Sequence, residues 1–327
     1  MTRRRGQRRT PLALLVTHSA DFFTVDRVAL HLKHRGWQAH RLDTDTLAAQ
    51  QLTVRLGVGG ASVSLRGTKR VALSDARAVW LRRLVPPALP PMPPRDLAIA
   101  RDTWFTTVHD ALALLGEARW VNPLRPEDTA ESKLHQLQLA RALGFTVPET
   151  LVTNTRAEVA AFRREHGRII TKLLIPRAWG MQASDEFFFT REVTARDVAQ
   201  LERIRVAPQI FQPLIEKARE LRVHVVGEQI FVAAIDARDR IDWRVSRAGR
   251  QTTWTTASLP RDEVTRVRAM LKALGLVSGA FDFIETPEGQ LVLLEVNPAG
   301  EWGWLERDLG FNISGAITDA LTEEEKS

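Results

Sequence analysis

Three side chains that carry oxygen donors stand close together near the C-terminus, in two apolar runs joined by a turn. The runs are Ala280-Phe281-Asp282-Phe283-Ile284-Glu285 and Leu291-Val292-Leu293-Leu294-Glu295-Val296-Asn297-Pro298, with Thr286-Pro287-Glu288-Gly289-Gln290 between them. Paired as antiparallel strands, they put Asp282, Glu295 and Asn297 on one face, because positions 295 and 297 share a side by the period of two. Two carboxylates and an amide oxygen are hard donors of the kind magnesium takes, alongside waters and nucleotide phosphates. An acidic residue set among Leu and Val is costly to ionise, and a coordinated cation offsets that cost for Glu295. The alternative is an exposed strand edge with solvated charges, and the nearly unbroken apolar flanks weigh against it.

Only seven of the 46 basic residues are lysines, so each lysine position is informative. Lys133 lies on a helical stretch after Asn122-Pro123. Lys172 sits in the apolar run Arg168-Ile169-Ile170-Thr171-Lys172-Leu173-Leu174. Such a lysine is either a point charge for nucleotide phosphates or a side chain that snorkels to water. In Ile210-Phe211-Gln212-Pro213-Leu214-Ile215, a strand backbone and the Gln212 amide can pair with an adenine edge. Glu220-Leu221-Arg222 puts an acid and a base on one strand face, suited to a ribose hydroxyl and a phosphate or acyl oxygen, or else to a structural ion pair. The eight histidines offer no close pair at metal or catalytic spacing, and His31 and His34 read as solvated helix residues.

The elements that must hold these groups follow from periodicity. Leu12 to Val16 reads as a buried strand, Asp21 to Arg35 as a helix with apolar Phe22, Val25, Val28, Ala29 and Leu32, and Gly36 as its stop. Strand-like runs follow at 37–42, 52–58, 62–65 and 78–81. Six prolines between Pro86 and Pro94 form a stiff loop, and Asp96 to Leu115 is helical. Trp120-Val121-Asn122-Pro123 reads as an extended link. A helix is predicted from Thr129 to Leu143, capped by Thr129 or Asp128 and closed by Gly144. Gly227-Glu228 between two apolar runs signals a hairpin in an antiparallel sheet. The organisation expected is an N-terminal α/β domain over 1–118, a central unit over 119–207 and a C-terminal unit over 208–327.

Composition narrows the function classes. The 327 residues are 44% hydrophobic, which suits packed cores rather than disorder. No apolar run approaches the roughly 18 residues of a membrane span. Without cysteine there is neither disulfide nor thiolate nucleophile, nor the commonest zinc ligand. The net charge of +7 comes mostly from Arg3, Arg4, Arg5, Arg8 and Arg9; without these five, 41 basic residues face 39 acidic ones. A solvated tail explains that excess better than nucleic-acid binding does. The short run Leu12-Ala13-Leu14-Leu15-Val16 after the arginines lacks the length and cleavage pattern of a secretory signal, so a cytoplasmic protein is expected, with no nucleic acid and no membrane among its partners.

These pieces, in this order from Leu12 to Leu321, resemble the ATP-grasp superfamily. Ser132-Lys133-Leu134-His135-Gln136-Leu137-Gln138-Leu139-Ala140, then Gly144, Val147-Pro148-Glu149-Thr150 and Lys172, is similar to the ribosomal-protein glutamate ligases. Thr17-His18-Ser19-Ala20-Asp21, Arg35-Gly36, Arg41-Leu42-Asp43-Thr44-Asp45 and the ending Asn297-Pro298-Ala299-Gly300-Glu301-Trp302-Gly303-Trp304-Leu305-Glu306 resemble the maturases of microviridin-type peptides, the graspetide ligases. The resemblance implies an α/β fold, α+β in parts, with a pre-ATP-grasp domain and a nucleotide site between the central and C-terminal units. It implies ATP and magnesium as cofactors. Lys133 and Lys172 would hold ATP phosphates, Gln212 and the Leu214 backbone adenine, and Glu220 ribose. Arg222 and Arg244 would stabilise transferred or developing charge, and Asp282, Glu295 and Asn297 would hold magnesium.

The implied reaction joins Asp or Glu side chains of a ribosomal precursor peptide, leader plus core, to its Ser, Thr or Lys side chains through an acyl phosphate. Many relatives cover the phosphates with a glycine-rich loop, whereas Ile175-Pro176-Arg177-Ala178-Trp179-Gly180-Met181 has one glycine. A ligase adding an amino acid such as glutamate would share every ATP and magnesium residue. A non-catalytic protein binding an acidic partner through the tail and the arginines of 238–250 is the remaining alternative, and a homodimer is left open.

Overall fold

In the computed structural model, the first apolar run becomes the inner strand Leu12–Thr17, every residue of it buried. It pairs in parallel with Gln38–Asp43 on one side and Ala76–Leu81 on the other, and Arg119–Val121 adds in parallel outside the latter. The segment read from sequence as an extended link is therefore itself an edge strand. The structure describes residues 10–58, 60–66, 70–172, 174, 190–199, 201–238, 241 and 253–323. It divides into two compact units: Met1–Glu127 with Gly275–Ser278 and Glu301–Ser327, and Asp128–Leu274 with Gly279–Gly300.

In the first unit the parallel sheet is buried by the helices Phe23–His34, Pro94–Ala113 and Ile313–Thr322, and a three-stranded antiparallel sheet (Gln51–Gly57, Gly60–Arg66, Arg70–Ala72) stands beside it. Leu14, Val16, Val79, Leu81, Val108 and Leu112 share one core, as strands buried on both faces require. The proline-rich stretch carries no regular structure until Pro94, which opens its helix at a position where the missing N–H costs nothing. The quoted N-terminal stretches meet at the carboxyl ends of the strands. There Thr17 donates to Asp21, the Ser19 N–H donates to Asp45 at 2.9 Å, and Arg41 donates to the His18 carbonyl at 2.8 Å. The C-terminal segment is bound into this unit by Arg82 with Glu301, by Arg27 and Ser314 with Glu306, and by Trp302 against Trp80, ring centroids 6.3 Å apart.

In the second unit a four-stranded antiparallel sheet runs in the order Arg191–Val193, Ile169–Lys172, Gln209–Pro213, Leu151–Thr153. Ile169 and Phe211 meet Val159 and Phe162 of the helix Arg156–His166 beneath it. A five-stranded sheet runs Thr255–Thr256, Gln229–Asp236, Arg219–Val226, Ser278–Glu285, Leu291–Asn297. The hairpin signal holds: Val226 faces Gln229, and Gly227 takes a φ of 54° that a residue with a Cβ adopts only under strain. The helix predicted from Thr129 to Leu143 is instead two, Leu124–Ala130 and Lys133–Ala142. Ser132 is extended at the start of the second (φ −70°, ψ 104°), so neither Thr129 nor Asp128 is the cap. Pro126, with φ already helical, helps the first helix begin early, and Glu131-Ser132 breaks the run. Among the described residues no helix is long and apolar enough to cross a membrane.

Trp302 is 1% exposed and its ring fills the space beside Trp80. Trp302→Ala should cost about 3–5 kcal/mol of the first unit's stability, the scale of emptying a buried aromatic site. Denaturant unfolding followed by tryptophan fluorescence checks this, and a midpoint shift smaller than that of a surface substitution would contradict it.

Candidate functional site

Asp282 and Glu295 are direct partners across the antiparallel pair Ser278–Glu285 and Leu291–Asn297. The register shifts just after Asp282, where Leu294 is left without a partner; a bulge of this kind re-aims the neighbouring side chain. Asn297, two residues on, turns its amide nitrogen to both carboxylates, 2.8 Å from Asp282 and 3.4 Å from Glu295. Because ionised carboxylates only accept, the nitrogen must be the atom that faces them. The structure thus brings together the three oxygen-bearing side chains that the period of two had placed on one face.

Their charge is balanced from three other elements. Lys133, the first residue of its helix, bonds Glu295, and Lys172, the last residue of its strand, lies 3.8 Å from the same oxygen. Arg222 of the neighbouring strand Arg219–Val226 reaches both oxygens of Asp282, at 2.8 and 2.9 Å. Glu295 is only 24% exposed, and Lys133 and Lys172 are 17% and 15% exposed. Burial alone would push the Glu295 carboxyl up. The charges of Lys133 and Lys172, with hydrogen bonds from Lys133 and Asn297, override that and hold it well below the usual carboxylate range.

The remaining sequence-derived residues lie around this centre. Gln212 is buried in the strand Gln209–Pro213, and its amide nitrogen donates to the Thr150 hydroxyl at 2.9 Å. The Leu214 N–H donates to the Arg168 carbonyl at 2.9 Å. Glu220 pairs with Lys217, whose ammonium also donates to the Ile241 carbonyl at 3.0 Å. Arg244, the other arginines at 240, 247 and 250, the loop 175–181 with Arg177, and the N-terminal arginines lie outside the described residues. Sequence reasoning missed Lys217, although it is one of only seven lysines. It also assigned nothing to Thr150 or Gly300. A Cβ on Gly300 would stand 2.4 Å from the Ala280 Cβ and 2.8 Å from an Arg222 nitrogen.

With this geometry in place, comparison with known proteins is decisive. Residues 12–128 match the family described as the MvdD pre-ATP grasp domain. The macrocyclase MdnC from Microcystis aeruginosa MRC, solved bound with precursor peptide MdnA, is 32% identical with a TM-score of 0.86, over 96% of this chain and 100% of that one. The macrocyclase MdnB from the same organism is 36% identical with a TM-score of 0.82, over the same shares. The chain belongs to the ATP-grasp ligase family of these macrocyclases. A glutathione synthetase from Neisseria meningitidis is 26% identical over 189 residues, 55% of this chain, and the match spans 56% of that enzyme's length. Family membership bears out the α/β ATP-grasp fold and the ligase class expected from the sequence.

Two outcomes follow from the ionic centre of this ATP-grasp ligase. Because the Glu295 pKa is lowered on folding, its contribution to stability is complete above the ordinary carboxylate range and is lost as pH falls through about 4 and below. Glu295→Gln should flatten that acid limb in unfolding curves measured as a function of pH; an unchanged limb would remove Glu295 as its source. Gly300→Ala should cost about 1–3 kcal/mol, as overpacking does, and displace the Arg222 guanidinium. A crystal structure of the variant with Arg222 still on Asp282 would contradict the steric argument.

Proposed function

We propose that this ligase activates Asp or Glu side chains of a ribosomally made precursor peptide as acyl phosphates and joins them to Ser, Thr or Lys side chains of the same peptide, forming macrolactone or macrolactam rings. What supports the reading is the balanced constellation of two carboxylates, an amide, two lysines and an arginine, in a chain of the same family as two macrocyclases over nearly its whole length. The donor set suits magnesium: Asp282 and Glu295 are hard oxygen ligands opposite one another, and Asn297, whose amide nitrogen faces them here, would add its oxygen by turning the amide over. Asp282, Glu295 and Asn297 would hold magnesium there, and the ion would supply positive charge that offsets the charge of phosphoryl transfer.

Lys133 and Lys172 hold ATP phosphate oxygens as point charges. An adenine edge meets Gln212 and the carbonyl of Leu214, whose N–H is committed to Arg168, and Glu220, oriented by Lys217, takes a ribose hydroxyl. A carboxylate oxygen of the substrate attacks the γ-phosphorus; the bond from γ-phosphorus to the bridging oxygen breaks and ADP leaves. A hydroxyl or amine of the same peptide then attacks the acyl carbon, loses its proton, and expels phosphate. Arg222, together with Arg244, stabilises the oxyanion of that second step. Holding both groups in one peptide supplies a high effective molarity. The reading places the enzyme in the cytoplasm, where ribosomal peptides and ATP are both present, with the precursor's leader and core as its partner.

The glutathione synthetase match favours a second reading, in which a free amino acid such as glutamate is the nucleophile. Mass spectrometry separates the two. Incubated with ATP, magnesium and its precursor peptide, the enzyme should remove one water from the peptide per bond and release one ADP and one phosphate. A mass gain that depends on free glutamate, with no dehydrated species, would establish the second reading instead. Glu295→Gln and Asn297→Ala should each lower turnover by about 100-fold or more, the scale of losing one preorganised charge stabiliser. Lys172→Met should weaken nucleotide binding by about tenfold, measured by calorimetry, and unchanged affinity would return Lys172 to a structural role.

A further inference from the structure

Among the described residues the strand Leu291–Asn297 lies at the edge of its five-stranded sheet, with no neighbouring strand on its outer side. At 292–293 that edge is covered by Thr146, which bridges Val292 in parallel and accepts from the Leu293 N–H at 2.9 Å. At Val296, the residue between Glu295 and Asn297, it is covered by a side chain. Gln136 is 3% exposed; its Oε1 accepts from the Val296 N–H at 2.9 Å and its Nε2 donates to the Val296 carbonyl at 2.7 Å. This pair of bonds is what an antiparallel neighbour would make to a single residue, supplied here by one amide group. The second hydrogen of Nε2 goes to the carbonyl of Ala130, the last residue of the preceding helix and one of the carbonyls a helix leaves unpaired. One buried amide therefore ties the end of one helix to the next helix and to the strand edge.

The placement has a local reason to matter. On the inner side of the same strand the ladder is interrupted between Asp282 and Phe283, so the register that aims Glu295 is weakest next to Glu295 itself. Gln136 also stands one helical turn after Lys133, on the helix Lys133–Ala142, so Lys133 grips the Glu295 carboxylate while Gln136 grips the following peptide. We propose that Gln136 is a positioning residue that fixes the Val296 peptide so that Glu295 and Asn297 present their oxygens together to magnesium. The inference rests on the reading of Glu295 and Asn297 as magnesium ligands.

The test is nucleotide affinity of the full chain, measured by calorimetry with ADP, once with excess magnesium and once with magnesium chelated, alongside a thermal melt. Gln136→Met keeps the side chain's length and removes all three bonds. The gain in affinity that magnesium confers on the wild type should shrink about tenfold in the variant, the scale of losing a group that orients metal ligands, while the chelated affinity stays as in the wild type. If the variant melts earlier yet keeps the full magnesium gain, Gln136 is only a staple and the proposal is overturned. Equal losses with and without magnesium would overturn it too, because the pocket as a whole would have moved. A wild type with no magnesium gain would sink the metal reading itself, and the inference with it. Should Gln136→Met fail to fold, Gln136→Glu decides by the same measurement, since it keeps the acceptor for the Val296 N–H but offers only oxygens to the two carbonyls.

Discussion

The second unit is organised around one requirement: two carboxylates stand opposite each other across a strand pair and their charge must be offset. Like charges at a few ångströms repel by several kcal/mol even at an effective dielectric of about 20. Asp282 and Glu295 are held by cations drawn from a helix start, a strand end and an adjacent strand, and by the amide of Asn297 between them. No one element brings enough charge alone. The four-stranded sheet that carries Lys172, the helix that begins at Lys133 and the five-stranded sheet that carries Arg222 must all close on the same few atoms. Removing one cation would leave a partly desolvated carboxylate with a like neighbour, which explains why the oppositely charged groups outnumber the carboxylates they serve.

That closure depends on polar atoms with no charge and on one missing side chain. Gln136 holds the edge strand where the bulge loosens it, and Thr150, just before the neighbouring strand, fixes the Gln212 amide. Gly300 lets the chain turn back past Ala280 without driving into the Arg222 guanidinium. In the first unit buried polar side chains do similar work: Glu306 gathers Arg27 and Ser314, and the Asn122 amide oxygen accepts from the N–H groups of Val277 and Ser278. Buried polar groups of this kind are costly unless fully bonded, and they therefore specify one arrangement.

The strands and the shared face of 282, 295 and 297 could be read from the sequence because both are local: a period of two and a five-residue turn are visible in consecutive letters. The partners of those residues could not. Whether Arg222 pairs with Glu220 on its own strand or with Asp282 on the next is a question of inter-strand register, and the structure puts it on Asp282. The split of the predicted helix at Ser132 was hidden because Thr129 is as good a cap by type as Ser132, and only the tertiary use of the Ala130 carbonyl distinguishes them. Arg119–Val121 is too short to show a period, and it becomes a strand only because Ala76–Leu81 offers it an edge. Gln136 reads as an ordinary surface polar residue of a helix until the strand it serves is placed against it.

The two carboxylates are held by different chemistry, and the difference bears on the proposed reaction. One nitrogen of the planar Arg222 guanidinium donates to both oxygens of Asp282. Glu295 is held instead by two ammonium groups on flexible stems, one bonded and one at 3.8 Å, each able to reorient about its long side chain. A nucleotide phosphate entering beside Glu295 would, in the proposed reading, meet cations that can be shared between carboxylate and phosphate. Asp282 keeps its arginine. In the proposed reading Asp282 is the fixed member of the ligand set, while Glu295 belongs to a charge balance that shifts as the γ-phosphoryl group leaves. The use of lysine at 133 and 172, in a chain that otherwise places arginine at 39 of its 46 basic positions, is what such a shift requires.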